Sequence, residues 1–127
     1  MREARAWFVR EFNPESFEEM MAAVAGERNG SFRMVISYWD MAASLVTTGA
    51  IDAESFRAAH GEIVATFSKV HPYLPRIRQT TGYPEFCKHM EAVVMAIPDA
   101  EATLSHRREM IRAAVKAQAE KARAVAQ

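Results

Sequence analysis

The chain has 127 residues, half of them hydrophobic, with 16 basic and 16 acidic side chains and a formal net charge of zero. This is enough apolar material for one domain with its own core. A neutral balance leaves no basic footprint, so no nucleic-acid partner is expected. The single cysteine, Cys87, allows no internal disulfide and suits a reducing cytoplasm.

The first residues, Met1-Arg2-Glu3-Ala4-Arg5, lack the apolar core of a signal peptide. No uncharged apolar run reaches the roughly twenty residues that span a bilayer. The nearest candidate, Met34 to Ile51, is interrupted by Asp40. The expected location is therefore cytoplasmic, with no membrane span.

Helical periodicity dominates from the start. Ala4, Trp7, Phe8 and Phe12 fall three or four apart and make one apolar face. Asn13-Pro14-Glu15 then breaks the helix and restarts it, with Asn13 as the expected cap and Pro14 at the first position. Phe17, Met20, Met21 and Val24 form the second stripe, and Gly26 or Asn29-Gly30 ends it.

Ser31 is the expected cap of the third helix. Phe32, Val35, Ile36, Trp39, Ala42, Ala43 and Val46 make one stripe along it, and Met34, Tyr38, Met41 and Leu45 make a second. A helix apolar nearly all round is normally buried, so the segment Ser31–Thr48 is expected at the centre of the fold. Gly49 closes it and Asp52 caps the fourth helix.

Along that fourth helix Phe56, His60, Ile63, Phe67, Val70 and Leu74 repeat in threes and fours. Gly61, in its middle, suggests a close helix crossing, and Pro72 and Pro75 should kink or end it. Thr80 to Pro84 reads as a turn. A fifth helix is expected over Pro84 to Ile97, with Phe86, Met90, Val93, Val94 and Ile97 inward. After Pro98-Asp99 the segment Ala100 to Gln127 is rich in strong helix formers. Its apolar stripe is thin: Leu104, Ile111, Val115, Ala122 and Val125.

The pattern predicts an all-α fold, a compact five- to six-helix bundle forming a single domain over residues 1–127. Residues 114–127 are expected to extend or fray.

Three blocks carry a resemblance. Ser37–Asp52 reads as an aromatic pair, an acid, small residues and Gly-x-Ile-Asp. Phe67–Arg78 carries an aromatic, a tyrosine and an arginine. Thr81-Gly82-Tyr83-Pro84 leads into Phe86–Val93. Together, over roughly Arg2 to Val94, they resemble a group of short bacterial helical proteins, the domain-of-unknown-function family 4760. Phe67 stands where a tryptophan is usual there. The resemblance implies a helical fold and no particular reaction. Some relatives carry an upstream membrane segment, and this chain is read as lacking one.

Chemistry-bearing residues are sparse. His60 falls on the apolar stripe and is read as a buried, hydrogen-bonded histidine rather than a ligand. His71, before a proline, is expected to be exposed. Glu85 with His89, and Cys87 with Glu91, lie one helical turn apart. Zinc wants four ligands, or three plus water, and di-iron bundles want repeated Glu-x-x-His pairs. Neither pattern occurs, so no metal and no cofactor are expected. Cys87 has Lys88 and His89 beside it, but helical neighbours point apart, which makes a structural thiol the default. No serine elbow or phosphate loop exists, and no catalytic residue is assigned. The methionines at 20, 21, 34, 41, 90 and 95 are read as core filling.

Asp40, in the middle of the third helix, needs a partner if buried. Arg78, or failing that Arg76, is the expected one. The leading functional reading is a non-enzymatic interaction or scaffold module, a homodimer or a binder of another protein. The alternative is a small-molecule-binding or enzymatic protein with a pocket near Asp40, lined by Tyr38, His60 and the arginines.

Overall fold

Helix breakers divide the expected segments further than periodicity alone suggests. The structure, a computed structural model, describes residues 1–126, among which there is no strand. The helices are α1 (Arg2–Arg10), α2 (Phe17–Ala25), α3 (Asn29–Thr47), α4 (Ala53–Ala59), α5 (Glu62–Val70), α6 (Leu74–Thr81), α7 (Lys88–Met95) and α8 (Ala100–Ala126). A 3-10 turn, His71–Tyr73, joins α5 to α6. The fold is an all-α bundle, as the pattern predicts.

Several caps differ from expectation. Ser16, not Asn13, caps α2, its hydroxyl accepting from the Glu19 amide at 3.1 Å. Glu19 reaches back to the Glu15 amide at 2.7 Å, so two amides at the helix start are satisfied by one reciprocal pair. Asn13 instead turns its amide toward the Arg10 carbonyl. Helix α3 begins at Asn29, two residues before Ser31, because the Asn29 side chain donates back to the Val24 carbonyl and ties α3 to the end of α2. Asp52 caps α4 as predicted, accepting from the Ser55 amide at 2.9 Å.

The long fourth helix breaks at His60-Gly61. Gly61 has no neighbour where a side chain would project, so it marks the break and no close crossing. Pro72 sits in the 3-10 turn and Pro75 in the first turn of α6. Both suit proline, which needs no amide partner there. Gly82 closes α6 with φ 72°, a left-handed conformation open to glycine without a side-chain penalty. The expected fifth helix is shorter, Lys88–Met95, because Tyr83 to Cys87 turn first and Cys87 itself has φ 60°.

Helix α3 is central and packs on α1, α2, α4 and α7. Its first stripe lies in the core: Phe32, Val35, Ile36, Trp39 and Ala43 are buried. Aromatic rings fill the junction with α1, where Trp7 stacks on Phe12 at 5.1 Å and Phe12 meets Phe32 edge-on at 5.7 Å. Helix α5 is enclosed still more completely, with every residue from Ile63 to Val70 except Ala65 buried. Helix α8 lies on α5 through its first turns, where Ala100 and Leu104 are buried. From Ala113 onward it is exposed along its whole length.

Candidate functional site

The second stripe of α3 is not covered. Met34, Tyr38, Met41 and Leu45 are 49%, 46%, 52% and 40% exposed. Their spacing of four, three and four residues keeps them in one line along the helix. The expectation that Met34 and Met41 fill the core is overturned: Met20 and Met90 do so, while these two stand at the surface. One helix has two apolar stripes, and the monomer's core covers one of them.

The line forms a ridge with a groove on each side. On the α4 side a groove of about 300 Å³ is walled by Ile51, Ser55, Phe56 and His60, with Tyr38, Met41 and Leu45 opposite. On the other side a groove of about 380 Å³ runs between Ser37, Asp40 and Ser44 of α3 and the Tyr83, Glu85 and His89 side chains. Ile51 and Tyr83 add exposed apolar surface at the two flanks. The first groove is largely aromatic at one end. Tyr38 meets Trp39 edge-on at 5.1 Å, Trp39 lies 6.1 Å from the His60 ring, and His60 lies 4.9 Å from Phe56.

His60 is therefore neither buried nor on a helical stripe. It is exposed, at the C-terminal end of α4, because the helix stops there.

Asp40 does not pair with either arginine. Its Oδ1 accepts from the backbone amides of His89 and Met90, at 3.1 and 2.9 Å. These amides open α7, whose own N-cap residue, Cys87, offers no side-chain hydrogen bond. Asp40 thus caps a neighbouring helix from the side, where unpaired amides and the helix dipole both favour a carboxylate. Arg78 instead clasps the Phe86 carbonyl through Nε and Nη2, at 3.0 and 2.8 Å, and reaches Glu91 at 3.0 Å. Arg76 lies over the Phe17 ring at 3.9 Å. Of the five candidate residues, only Tyr38 and His60 share a groove.

Two further histidines are held by side chains. His89 Nδ1 is 2.7 Å from the Thr47 hydroxyl. His71, expected to be exposed, is partly buried and bonds both Glu101 oxygens at 3.0 and 3.1 Å. Cys87 is buried, and burial, with the Asp40 charge adding to it, pushes its thiol well above the usual range. Such a thiol is a poor nucleophile. Among the described residues no three His, Cys, Asp or Glu side chains converge on one point.

One residue escaped sequence reasoning. Lys69 is 7% exposed, and its Nζ donates to the carbonyls of Phe8, Val9 and Phe12 at 2.6, 3.3 and 2.8 Å. It closes the C-terminal end of α1, where carbonyls lack partners and a cation is favoured. Burial pushes its pKa down to about 8. All three donors are engaged, which leaves none for a ligand.

Residues 1–96 match the family described as Domain of unknown function (DUF4760), and the chain belongs to that family. The matched stretch holds the ridge and both grooves, and α8 lies beyond it. No curated protein and no solved structure matches the chain. No helix among the described residues is long and apolar enough to cross a membrane.

Proposed function

We propose that this DUF4760 member is a non-enzymatic helical interaction module whose contact face is the outer side of α3. The observation that carries the reading is the ridge itself. Six of the large hydrophobic side chains exposed in this molecule, Met34, Tyr38, Met41, Leu45, Ile51 and Tyr83, fall on this one face. Contiguous apolar surface flanked by polar groups marks interaction sites, whereas scattered exposed residues need no explanation. Methionine suits such a face because its unbranched chain adapts to the surface it meets. Asp40, Arg78, Lys69 and His89, the polar groups that could have carried chemistry, are occupied as caps and clasps. A lone, buried thiol fits a cytoplasmic setting.

The test is a photo-cross-linking residue placed at position 41, with position 18, exposed on α2 and outside both grooves, as control. In cells that make the chain, position 41 should give one discrete adduct and position 18 none. No adduct at 41 would refute the reading.

A second reading has one observation in its favour. The rings of Tyr38, Trp39, Phe56 and His60 line one groove, and its volume is at the lower end for small-molecule pockets. Trp39 fluorescence titrated with small planar aromatic compounds tests it. Saturable quenching that is lost in Phe56→Ala would favour it, and a flat response would dispose of it.

A further inference from the structure

The geometry points to a second copy of this chain as the occupant of the α3 face, docked so that the two α3 helices run antiparallel about a twofold axis. The inference rests on the interaction-module reading above and adds the identity and orientation of the partner.

Three features support it. First, the face is self-complementary in shape. Met41 stands between two grooves of about 300 and 380 Å³, Tyr38 and Leu45 wall the first of them, and Met34 continues the same line along the helix. A twofold operation seats the ridge of one copy in a groove of the other and the reverse at once, which is what a symmetric interface requires. Packing side-chain rows into grooves is also the ordinary way in which helices pair.

Second, the charges at the two ends of α3 are opposite and only partly compensated among the described residues: Arg28 pairs with Glu11 at 3.8 Å and Asp52 caps α4, which leaves Arg33 at one end and Glu54 at the other. The first turn of α3 holds no acidic residue and its last turn no basic one. Both ends of the helix dipole are therefore left without a complementary side chain. Arg28 stands at the N-cap position, and Arg33 is exposed with no ion pair among the described residues. Beyond the C-terminal end lie Asp52 and Glu54, in the cap and first turn of α4. An antiparallel partner brings Arg33 to the acidic end of the other α3, twice over. A parallel partner sets Arg33 against Arg33 and carbonyl end against carbonyl end.

Third, the ridge carries no charge and the chain has a formal net charge of zero, so long-range repulsion does not oppose self-association.

The orientation makes a specific cross-linking pattern. Met34 and Leu45 are eleven residues apart, about 16 Å along the helix. In the antiparallel pair, Met34 of one copy lies opposite Leu45 of the other, while each is far from its own equivalent. The sole native cysteine, Cys87, is buried and does not interfere. Two proteins, Met34→Cys and Leu45→Cys, are mixed under mild oxidation, and each is also oxidised alone. The mixture should give a disulfide-linked pair and neither protein alone should. Sedimentation of the unmodified chain over a wide concentration range should show a monomer passing to a dimer. Met41→Glu should weaken association by about tenfold or more, with an unchanged helical spectrum and, at concentrations where both proteins are monomeric, an unchanged melting temperature, since Met41 is half exposed already.

A dimer in which Met34→Cys cross-links to itself as readily as to Leu45→Cys overturns the antiparallel orientation. A strict monomer overturns the second copy. If that monomer is still cross-linked through position 41 in cells, to a different protein, the contact face survives and only its occupant is wrong. If position 41 captures nothing, both readings fall.

Discussion

Replacing Lys69 by methionine should cost stability, and should cost more at alkaline than at neutral pH. The side chain has nearly the same length without its ammonium group, so the core volume is kept. What is lost is the donor set to the Phe8, Val9 and Phe12 carbonyls. A buried acceptor left unpaired costs about 1–3 kcal/mol. Removing a buried charge returns part of this. A net loss of about 2 kcal/mol at pH 7 follows, or roughly 8 °C in melting temperature for a chain of this size. The pH dependence follows from linkage. The Lys69 pKa is about 8 in the fold and about 10.4 in the unfolded chain. Between these values the unfolded state binds more protons, so this residue's contribution rises with pH through that window and is level on either side. Cys87 and Tyr73, whose pKa values burial raises, act the opposite way, because they hold protons in the fold that the unfolded chain has lost. The informative quantity is therefore the difference between wild type and Lys69→Met, from thermal melts at pH 7, 8, 9 and 10. That difference should widen from pH 8 upward. A difference that stays flat or narrows, or a variant more stable than wild type at pH 7, would refute the account of Lys69 as a buried cap.

Asp40→Ala should cost about 1–2 kcal/mol by urea unfolding, the usual range for a lost N-cap, and Asp40→Asn, which keeps an acceptor, should cost less. Equal losses for the two would show that the carboxylate charge alone matters. The Cys87 thiol should react with iodoacetamide far more slowly in the native protein than in urea, since it is buried and its pKa raised, and fast native labelling would contradict that placement. Amides from Ala113 to Ala126 should exchange with solvent faster than those of α3 and α5. A chain ended at Ala113 should melt close to the full chain, because these residues touch little of the core and a free helix of this length is marginal in water. Strong protection of this segment would show a partner for α8 that the ridge does not explain.

How much of this was legible in the sequence depends on the range of the interaction. Residue spacing marked the helices, the central place of α3 and the inward residues Phe8, Met20, Phe32 and Val94, because helical periodicity is a local property that the chain displays directly. Asp52 and Gly49 were also legible, being local caps. Asn13 and Ser31 misled because each stands near a real helix start: Ser16 holds the cap in one case, and in the other the helix begins earlier with no side-chain cap, the Asn29 side chain tying back to the Val24 carbonyl of α2. The partners of Asp40 and Arg78 were illegible for a different reason. Both bind backbone groups, amides of α7 and the Phe86 carbonyl, and a search for opposite charges cannot find a backbone partner. Lys69 gave no signal at all. Its acceptors lie some sixty positions away, at a helix end that exists only once α1 and α5 have packed.

The double stripe of α3 was visible but was given the wrong consequence. An apolar residue in a helical line needs cover, and the sequence states that need without saying which molecule provides it. A small domain can surround a helix only if it has enough elements to do so. Here α1, α2, α4 and α7 meet α3, and α8, the longest helix, lies against α5 and leaves its second half in solvent. Nothing among the described residues closes the line from Met34 to Leu45, although α8 carries more than enough residues to cover it. The uncovered stripe is thus a property of how the helices are distributed, and no local rule of caps or propensities would change it. Two apolar stripes on one helix, only one of them covered by the core, point to two contacts, one made inside the fold and one made outside it.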